Sequence, residues 1–554
     1  MAVVGAILLL WGVAEGAVYL LRLGLVFETI IRLLFIAGTA WLVLRQAREQ
    51  AGRRQLAGFP PGRGPGLTGV LAGVTPTAII AFAFLVSLAL ALLTFSAHAI
   101  TADEFGYRYL AETLLRNRLW NAPTPSQLHN VMLTLYIPDK AGKRLSQYPP
   151  AWPLALAPFI AAHLSWLANP VIALLGGGFM LGAMREAGVG RAGQLAALVL
   201  AMLAPFALFN NASLFNHTLA ATLIMAVVWL DLRDARHPSI WNRVGIGFAF
   251  SVLLSTRYEA FAIAFVLFAA DHLIRRRVRF LTWAMPAAAG ALPGVVLLAL
   301  YNWSITGSPL TTTLSWGFPN LSFGLHAHGM DGTHSPALAA AYTFRWGLGW
   351  GDFASVAMLP LYVAAVWRRA RRGQLRWFDL MLPAVVVFFV FYPDYGGFQY
   401  GPRYWFIAYA LVPLTIALEG GWRIAETRFN PLPLAAAQAM VFAGFTIGYC
   451  VFARIQAEAR MLPLTVALSA PGESAVLFPV EGQMRYIKWQ VRPERMDGKD
   501  FTRNGPNGPG RVLLGLYLGP ARTKLLCTQL PRRTIFRLEE PDNATRPRLV
   551  PVCG

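Results

Sequence analysis

A chain of 554 residues in which 56% are hydrophobic and only 14% charged lies outside the balance of soluble globular domains and reads as an integral membrane protein. Apolar runs of roughly 17–25 residues recur along it, the length that crosses a hydrocarbon core as helix; they are too numerous for signal peptides, and a closed barrel of short alternating strands is excluded. The net charge of +21 would point to nucleic acid in a soluble protein. Here Lys and Arg gather in short connections between apolar runs, the positive-inside pattern, so no nucleic-acid partner is implied.

In chain order the spans are expected at about 3–22, 26–45, 76–98, 171–188, 192–209, 214–231, 244–257, 258–274, 281–303, 344–366, 378–393, 403–419 and 432–453, about thirteen helices. The arginine-bearing connections are Arg45 to Arg63, Arg185 to Arg191, Arg233 to Arg243, Arg275 to Arg279, Arg368 to Arg376 and Arg423 to Arg428. Placing all six in the cytoplasm sets the orientation. It also makes the apolar stretch Trp152 to Leu167 a juxtamembrane or re-entrant segment, because a full crossing there would put basic loops outside. Such partly inserted backbone survives only against protein or a water-filled cavity, so it hints at a site.

Three segments then face outward, Ala99 to Pro150, Thr306 to about Thr343, and Pro393 to Arg403, together with the tail. The chain divides into an N-terminal hairpin and basic cytoplasmic loop (1–75), a transmembrane module (76–452) and a C-terminal extramembrane domain (453–554). In the last, strand-like runs such as Ala475 to Val480 and Tyr486 to Val491 alternate with turn-rich stretches, as in a small α+β domain. Cys527 and Cys553 both fall there and could pair in an oxidising compartment, although spacing does not settle connectivity. Cys450 reads as a small apolar residue of the last span.

Charges are scarce in the apolar part, so those at the outer boundary carry information. The first outward loop opens Thr101-Ala-Asp-Glu-Phe-Gly-Tyr-Arg-Tyr. Asp103 and Glu104 point about 100° apart on a helix, so one can meet an acceptor while the other orients a neighbour. The alternative is a capping box formed by Thr101 and Glu104. Tyr148-Pro-Pro gives an extended entry into the interfacial segment. Arg257 and Glu259, in Ser255-Thr-Arg-Tyr-Glu, and Arg403, beneath the Gly-rich Tyr395-Gly-Gly-Phe-Gln-Tyr-Gly-Pro-Arg, sit at outer helix ends; each arginine either snorkels to headgroups or clamps a phosphate with its forked donors. His217 lies outside as well, either a satisfied boundary histidine or a ligand for acceptor or pyrophosphate.

These motifs, in this order and on one face, resemble the GT-C superfamily of membrane glycosyltransferases, in particular the branch with the protein O-mannosyltransferases and the lipid A aminoarabinose transferase. The resemblance runs over about 76–420 and rests on Asp103-Glu104, Tyr148-Pro-Pro, Thr256-Arg-Tyr-Glu and Tyr400-Gly-Pro-Arg-Tyr. It implies an all-α polytopic fold with a small α+β C-terminal extramembrane domain, and an inverting transfer from a polyprenyl-phosphate-linked sugar donor. The acceptor would be a hydroxyl of a lipid, glycan or protein at the outer face of a bacterial inner membrane. By the same resemblance Asp103 acts as general base, Glu104 orients acceptor or loop, and Arg257 or Arg403 stabilises the phosphate. Tyr148 and Tyr400 position sugar or phosphate, and Tyr107, Arg108, His217 and Glu259 complete the substrate-binding set. No cofactor is required. A divalent metal stays open, the nearest ligand set being His326, His328, Asp331 and His334 in one outward loop. The rival readings are a lipid or solute transporter and a noncatalytic envelope-assembly scaffold.

Overall fold

The computed structural model describes residues 73–553 apart from 127, 129–130, 132–135, 277–279, 320–321, 330–331, 356–357, 394–395, 397–399, 420–422, 425–426, 429–431, 480–500, 505–509 and 540–545. The expected spans 3–22 and 26–45, the loop Arg45 to Arg63, Asp331 and the run Tyr486 to Val491 lie outside the described residues. The chain is mostly helical with a small sheet part.

Among the described residues four helices are long and apolar enough to cross a membrane: Pro76–Thr94, Ser165–Glu186, Phe280–Thr306 and Gln438–Ile455. Two bent pairs, Arg191–Met202 with Pro205–Ala212 and Pro336–Ala354 with Met358–Arg371, raise this to six if each is one span. Shorter apolar helices cover Ala151–Ala161, Ile240–Leu254, Trp377–Val390 and Arg403–Leu418. The outward face of Phe280–Thr306 is Leu281, Met285, Leu292 and Leu297, each at least 60% exposed. An apolar stripe of that length is a liability in water and is at home against lipid.

Two expectations shift. The single span expected at 344–366 is broken, its two helices bent by 101° where Ser355 takes φ 79°, a conformation that ends a helix for an L-residue. The helix Leu432–Leu468 runs through the expected domain boundary at 453, and the compact tail begins at Ser474. Trp152 to Leu167 forms an 11-residue helix, Ala151–Ala161, and a short turn Ser165–Leu167; about 16 Å of helix is too short to cross a bilayer.

We label α1 (Ala102–Leu115), α2 (His217–Arg236), α3 (Ile240–Leu254), α4 (Tyr258–Arg276) and α5 (Phe280–Thr306). Helices α2, α3 and α5 stand side by side, and glycines let two of them touch backbone to backbone. A Cβ on Gly247 would lie 1.7 Å from the Ala287 carbonyl oxygen, and one on Gly290 2.1 Å from that of Val244. Helix α2 starts at the cavity described below and ends about 30 Å away in a buried ion network. There Arg376 pairs with Asp231 at 2.8 Å and Asp271 at 3.2 Å, and Arg243 with Asp234 at 3.2 Å. Three arginine-rich connections, those of Arg243, Arg275 and Arg376, thus meet at the end of the bundle away from His217.

The tail is a four-stranded sheet of β1 (Ser474–Pro479), β2 (Val512–Tyr517), β3 (Thr534–Glu539) and β4 (Arg548–Pro551) in the order β4-β3-β1-β2. The central β1 runs parallel to both neighbours and β4 antiparallel to β3. Cys527 and Cys553 are joined in a disulfide. The tail docks on the first outer loop: Leu516 donates its N–H to the Val131 carbonyl at 2.8 Å.

The backbone contact between α3 and α5 predicts that Gly290→Val lowers the thermal unfolding midpoint in detergent, at a cost of about 2–3 kcal/mol. Gly178→Ala, where a Cβ meets nothing within 4 Å, should leave the midpoint unchanged.

Candidate active site

The site is assembled from four turns at the ends of helices, each held by its own local chemistry. Helix α1 opens with the capping box expected from Thr101 and Glu104. The Glu104 carboxylate goes further: Oε2 accepts from the N–H groups of Ile100 and Thr101, both at 2.8 Å, and from the Thr101 hydroxyl at 3.1 Å, while Oε1 accepts the Leu214 N–H at 2.7 Å. At 1% exposure, with both oxygens held by donors, Glu104 does not line the cavity described next. Besides capping α1, it ties that helix to the segment 213–216. Burial pushes its carboxyl up, and the hydrogen bonds from Leu214, Ile100 and Thr101 pull it back down.

One residue earlier, Asp103 faces a cavity of about 310 Å³. Its Oδ1 accepts the Tyr148 hydroxyl at 2.5 Å and its Oδ2 the Arg403 Nη1 at 3.0 Å. Gly106 makes the first contact possible, since a Cβ there would lie 2.7 Å from the Tyr148 ring. Burial, and next the charge of Asp103, push the phenols of Tyr148 and Tyr107 well above their usual range, so Tyr148 keeps its proton and donates it.

Arg403 reaches the cavity because Tyr400 and Gly401 both adopt left-handed backbone, φ 64° and 91°, and glycine takes the second position without strain. The guanidinium lies 4.7 Å over the Phe215 ring and 5.7 Å from the Tyr404 ring, a cation–π platform. Arg257 donates from Nε to Glu259 at 2.6 Å and from Nη1 to Asn216 Oδ1 at 3.3 Å, and Asn216 Nδ2 donates to the Thr256 carbonyl at 3.0 Å.

Of the residues singled out in the sequence, Asp103, Tyr107, Tyr148, His217, Arg257, Glu259 and Arg403 line this one cavity. Three expected site residues do not. Glu104 is consumed by its backbone donors. Arg108 turns to the opposite face of α1, donating to Thr502 of the tail at 2.8 Å and pairing with Glu112 at 3.4 Å; on a helix it is rotated away from Asp103 and Tyr107. Tyr400 is buried against Phe95, Phe209 and Phe215, and its carbonyl accepts from Asn210, so it supports the Arg403 turn from behind. The cavity also recruits Tyr136, Asn216, Tyr258, Tyr392 and Tyr404. Asn216, Tyr258 and Tyr404 each adjoin a residue the sequence had marked; Tyr136 and Tyr392 carry no signal of their own.

No three His, Cys, Asp or Glu side chains are placed to hold a metal ion among the described residues. In the loop with the histidines, His334 spends Nε2 on the Val390 carbonyl at 2.9 Å.

The fold has a counterpart among solved structures. ArnT from Cupriavidus metallidurans bound to undecaprenyl phosphate superposes with a TM-score of 0.52 at 14% identity, over 88% of this chain and 100% of that one. Its apo form gives the same score and identity over 88% and 99%. At this identity the likeness is one of fold. No protein-family model and no curated protein sequence matches the chain.

Glu104→Ala strands three buried N–H donors, so it is expected to cost about 2–4 kcal/mol, read as a lower unfolding midpoint in detergent. An unchanged midpoint would contradict the tie between α1 and segment 213–216.

Proposed function

We propose that this chain is an inverting glycosyltransferase that moves a sugar from a polyprenyl-phosphate donor to an acceptor hydroxyl at the outer face of the membrane. The observation that carries the reading is the convergence of Asp103 and Arg403, 300 positions apart in sequence and 3.0 Å apart in space, in a cavity shared with Arg257. The GT-C fold supports it, as does the undecaprenyl phosphate bound by ArnT of Cupriavidus metallidurans. Nucleotide sugars are confined to the cytoplasm, so an outward site needs a membrane-borne donor. We place the chain in a bacterial inner membrane, with cavity and tail outside, because the basic connections gather at the opposite end of the bundle.

Asp103 accepts one bond on each oxygen and keeps lone pairs free for a third, enough to receive a proton from the acceptor hydroxyl. In the transfer step the acceptor oxygen bonds to the anomeric carbon as the bond from that carbon to the phosphate oxygen breaks. The hydroxyl proton passes to Asp103, and the electron pair leaves on the polyprenyl phosphate. That phosphate gains negative charge as it departs, and Arg403 and Arg257 sit where they oppose it, an effect strengthened in a partly dry cavity. Tyr148 and Arg403 hold the Asp103 carboxylate in one orientation. The acceptor is a lipid, glycan or protein hydroxyl.

The test is transfer of label from radiolabelled undecaprenyl-phosphate sugars to envelope acceptors by protein reconstituted in lipid. Asp103→Asn keeps the size and can still accept from Arg403 while its amide meets the Tyr148 hydroxyl, but cannot take the proton, so the rate should fall by about 10²–10⁴ in protein that still unfolds cooperatively. Full activity in this variant would remove Asp103 from the chemistry and favour a scaffold.

A further inference from the structure

Among the described residues two side chains of the cavity wall have every polar atom buried without a hydrogen-bond partner, the Tyr258 hydroxyl and the His217 imidazole, and only the imidazole has two such atoms. His217 is 2% exposed, and neither ring nitrogen meets a hydrogen-bond partner. Burying a polar group in that state is costly, and folded proteins leave few of them. Loose packing is not the reason, because the segment that delivers His217 is pinned. Asn169 Nδ2 donates to the carbonyls of Ser213 at 2.6 Å and Phe215 at 2.8 Å, Trp152 Nε1 donates to that of Leu214 at 2.9 Å, and Glu104 holds the Leu214 N–H. The protein has fixed the imidazole in place and left its hydrogen bonds to something that enters the cavity.

Its surroundings narrow what that is. The His217 ring meets Phe215 edge to face at 5.2 Å, and the Arg403 guanidinium lies over the same Phe215 ring. Arg403 spends Nη1 on Asp103, while its buried Nε has no partner. The unused donor of Arg403 and the unused imidazole therefore share one aromatic platform.

Hydrogen-bond chemistry separates the candidates. A neutral imidazole offers one N–H donor and one bare nitrogen acceptor. A phosphodiester brings acceptors only and would leave the bare nitrogen unmet. A hydroxyl can donate as well as accept. In a glycosyl phosphate the ring hydroxyl beside the anomeric carbon is the hydroxyl nearest the phosphate oxygens. The acceptor's hydroxyl belongs at Asp103, which Arg403 reaches with its other nitrogen. We infer that His217 is a specificity-determining residue that reads a hydroxyl of the donor sugar beside the phosphate, while Arg403 Nε takes a phosphate oxygen. The inference rests on the transferase reading above and adds to it a selection for a hydroxylated sugar at that carbon.

The experiment measures the affinity of the reconstituted full-length protein for bare undecaprenyl phosphate and for a panel of undecaprenyl-phosphate pentoses and hexoses, with the 2-deoxy form of the tightest binder. Wild type should prefer the hydroxylated sugar to its 2-deoxy form tenfold or more. His217→Leu should abolish that preference and keep its affinity for bare undecaprenyl phosphate within twofold. His217→Gln, whose amide again offers a donor and an acceptor, should recover part of the preference, and unfolding midpoints establish that both variants fold. An equal loss of bare and sugar-linked lipid in His217→Leu would make the residue a phosphate ligand and overturn the inference. So would a preference that survives the substitution, or one that wild type never shows. If wild type binds no sugar-linked lipid better than the bare lipid and transfers none of them, the transferase reading falls as well, an outcome distinct from failure of the histidine alone.

Discussion

A buried carboxylate with no cation beside it must be surrounded by donors, and Glu104 meets that requirement by drawing two distant pieces of chain together. Its oxygens close the first turn of Ala102–Leu115 and reach across to the Leu214 N–H. Because a buried, partly satisfied carboxylate is far more costly than a fully satisfied one, the helix that carries Asp103 and the segment that carries Phe215, Asn216 and His217 can hardly shift relative to each other. Every other polar contact in the cavity is measured from that joint. Asn216 passes it on to the Thr256 carbonyl and to Arg257, and Phe215 passes it on to Arg403 through its ring face.

The charges within the cavity are balanced pair by pair, Asp103 with Arg403 and Glu259 with Arg257. Pairing lowers the cost of holding four ionised groups away from bulk water, although it does not cancel it. Such an arrangement is poor as a source of stability and well suited to a site, since an incoming anion can share either guanidinium without a new charge being buried alone. The second charged region lies around Asp231, Asp271 and Arg376 at the far end of His217–Arg236. Its members bond chiefly to one another and to Trp377 and His272, which suits it to fastening helix ends.

The first outer loop serves two neighbours at once. One face of Ala102–Leu115 presents Asp103 and Tyr107 to the cavity, and the other presents Arg108 to Thr502 of the C-terminal domain. Val131 adds a backbone bond to Leu516 in that domain's sheet. The tail thus rests against the element that bears the proposed base, and changes in the tail can reach the site through a single helix.

Much of this was legible in residue order. Membrane insertion follows from apolar length, because water cannot satisfy backbone groups inside a bilayer and long helical runs leave a plain signature. The capping box was readable because its two residues are three apart and the bonding is local. Asp103, Arg257 and Arg403 stood out because a charge at a membrane boundary is costly and scarce. What tertiary structure alone decided is the partner of each group. Spacing from Thr101 already separates Glu104 from Asp103 in sequence, but only the position of Leu214 extends the cap into a tie across the fold. Arg108 and Arg403 are both boundary arginines, yet helical rotation sends the first to the tail, while the left-handed turn at Tyr400 and Gly401 sends the second inward. Tyr136 and Tyr392 became cavity walls through folding, with nothing in their own neighbourhoods to mark them. Local hydrogen bonding and hydrophobic length are properties of short windows and can be read there; convergence of side chains hundreds of positions apart depends on packing angles that no short window contains.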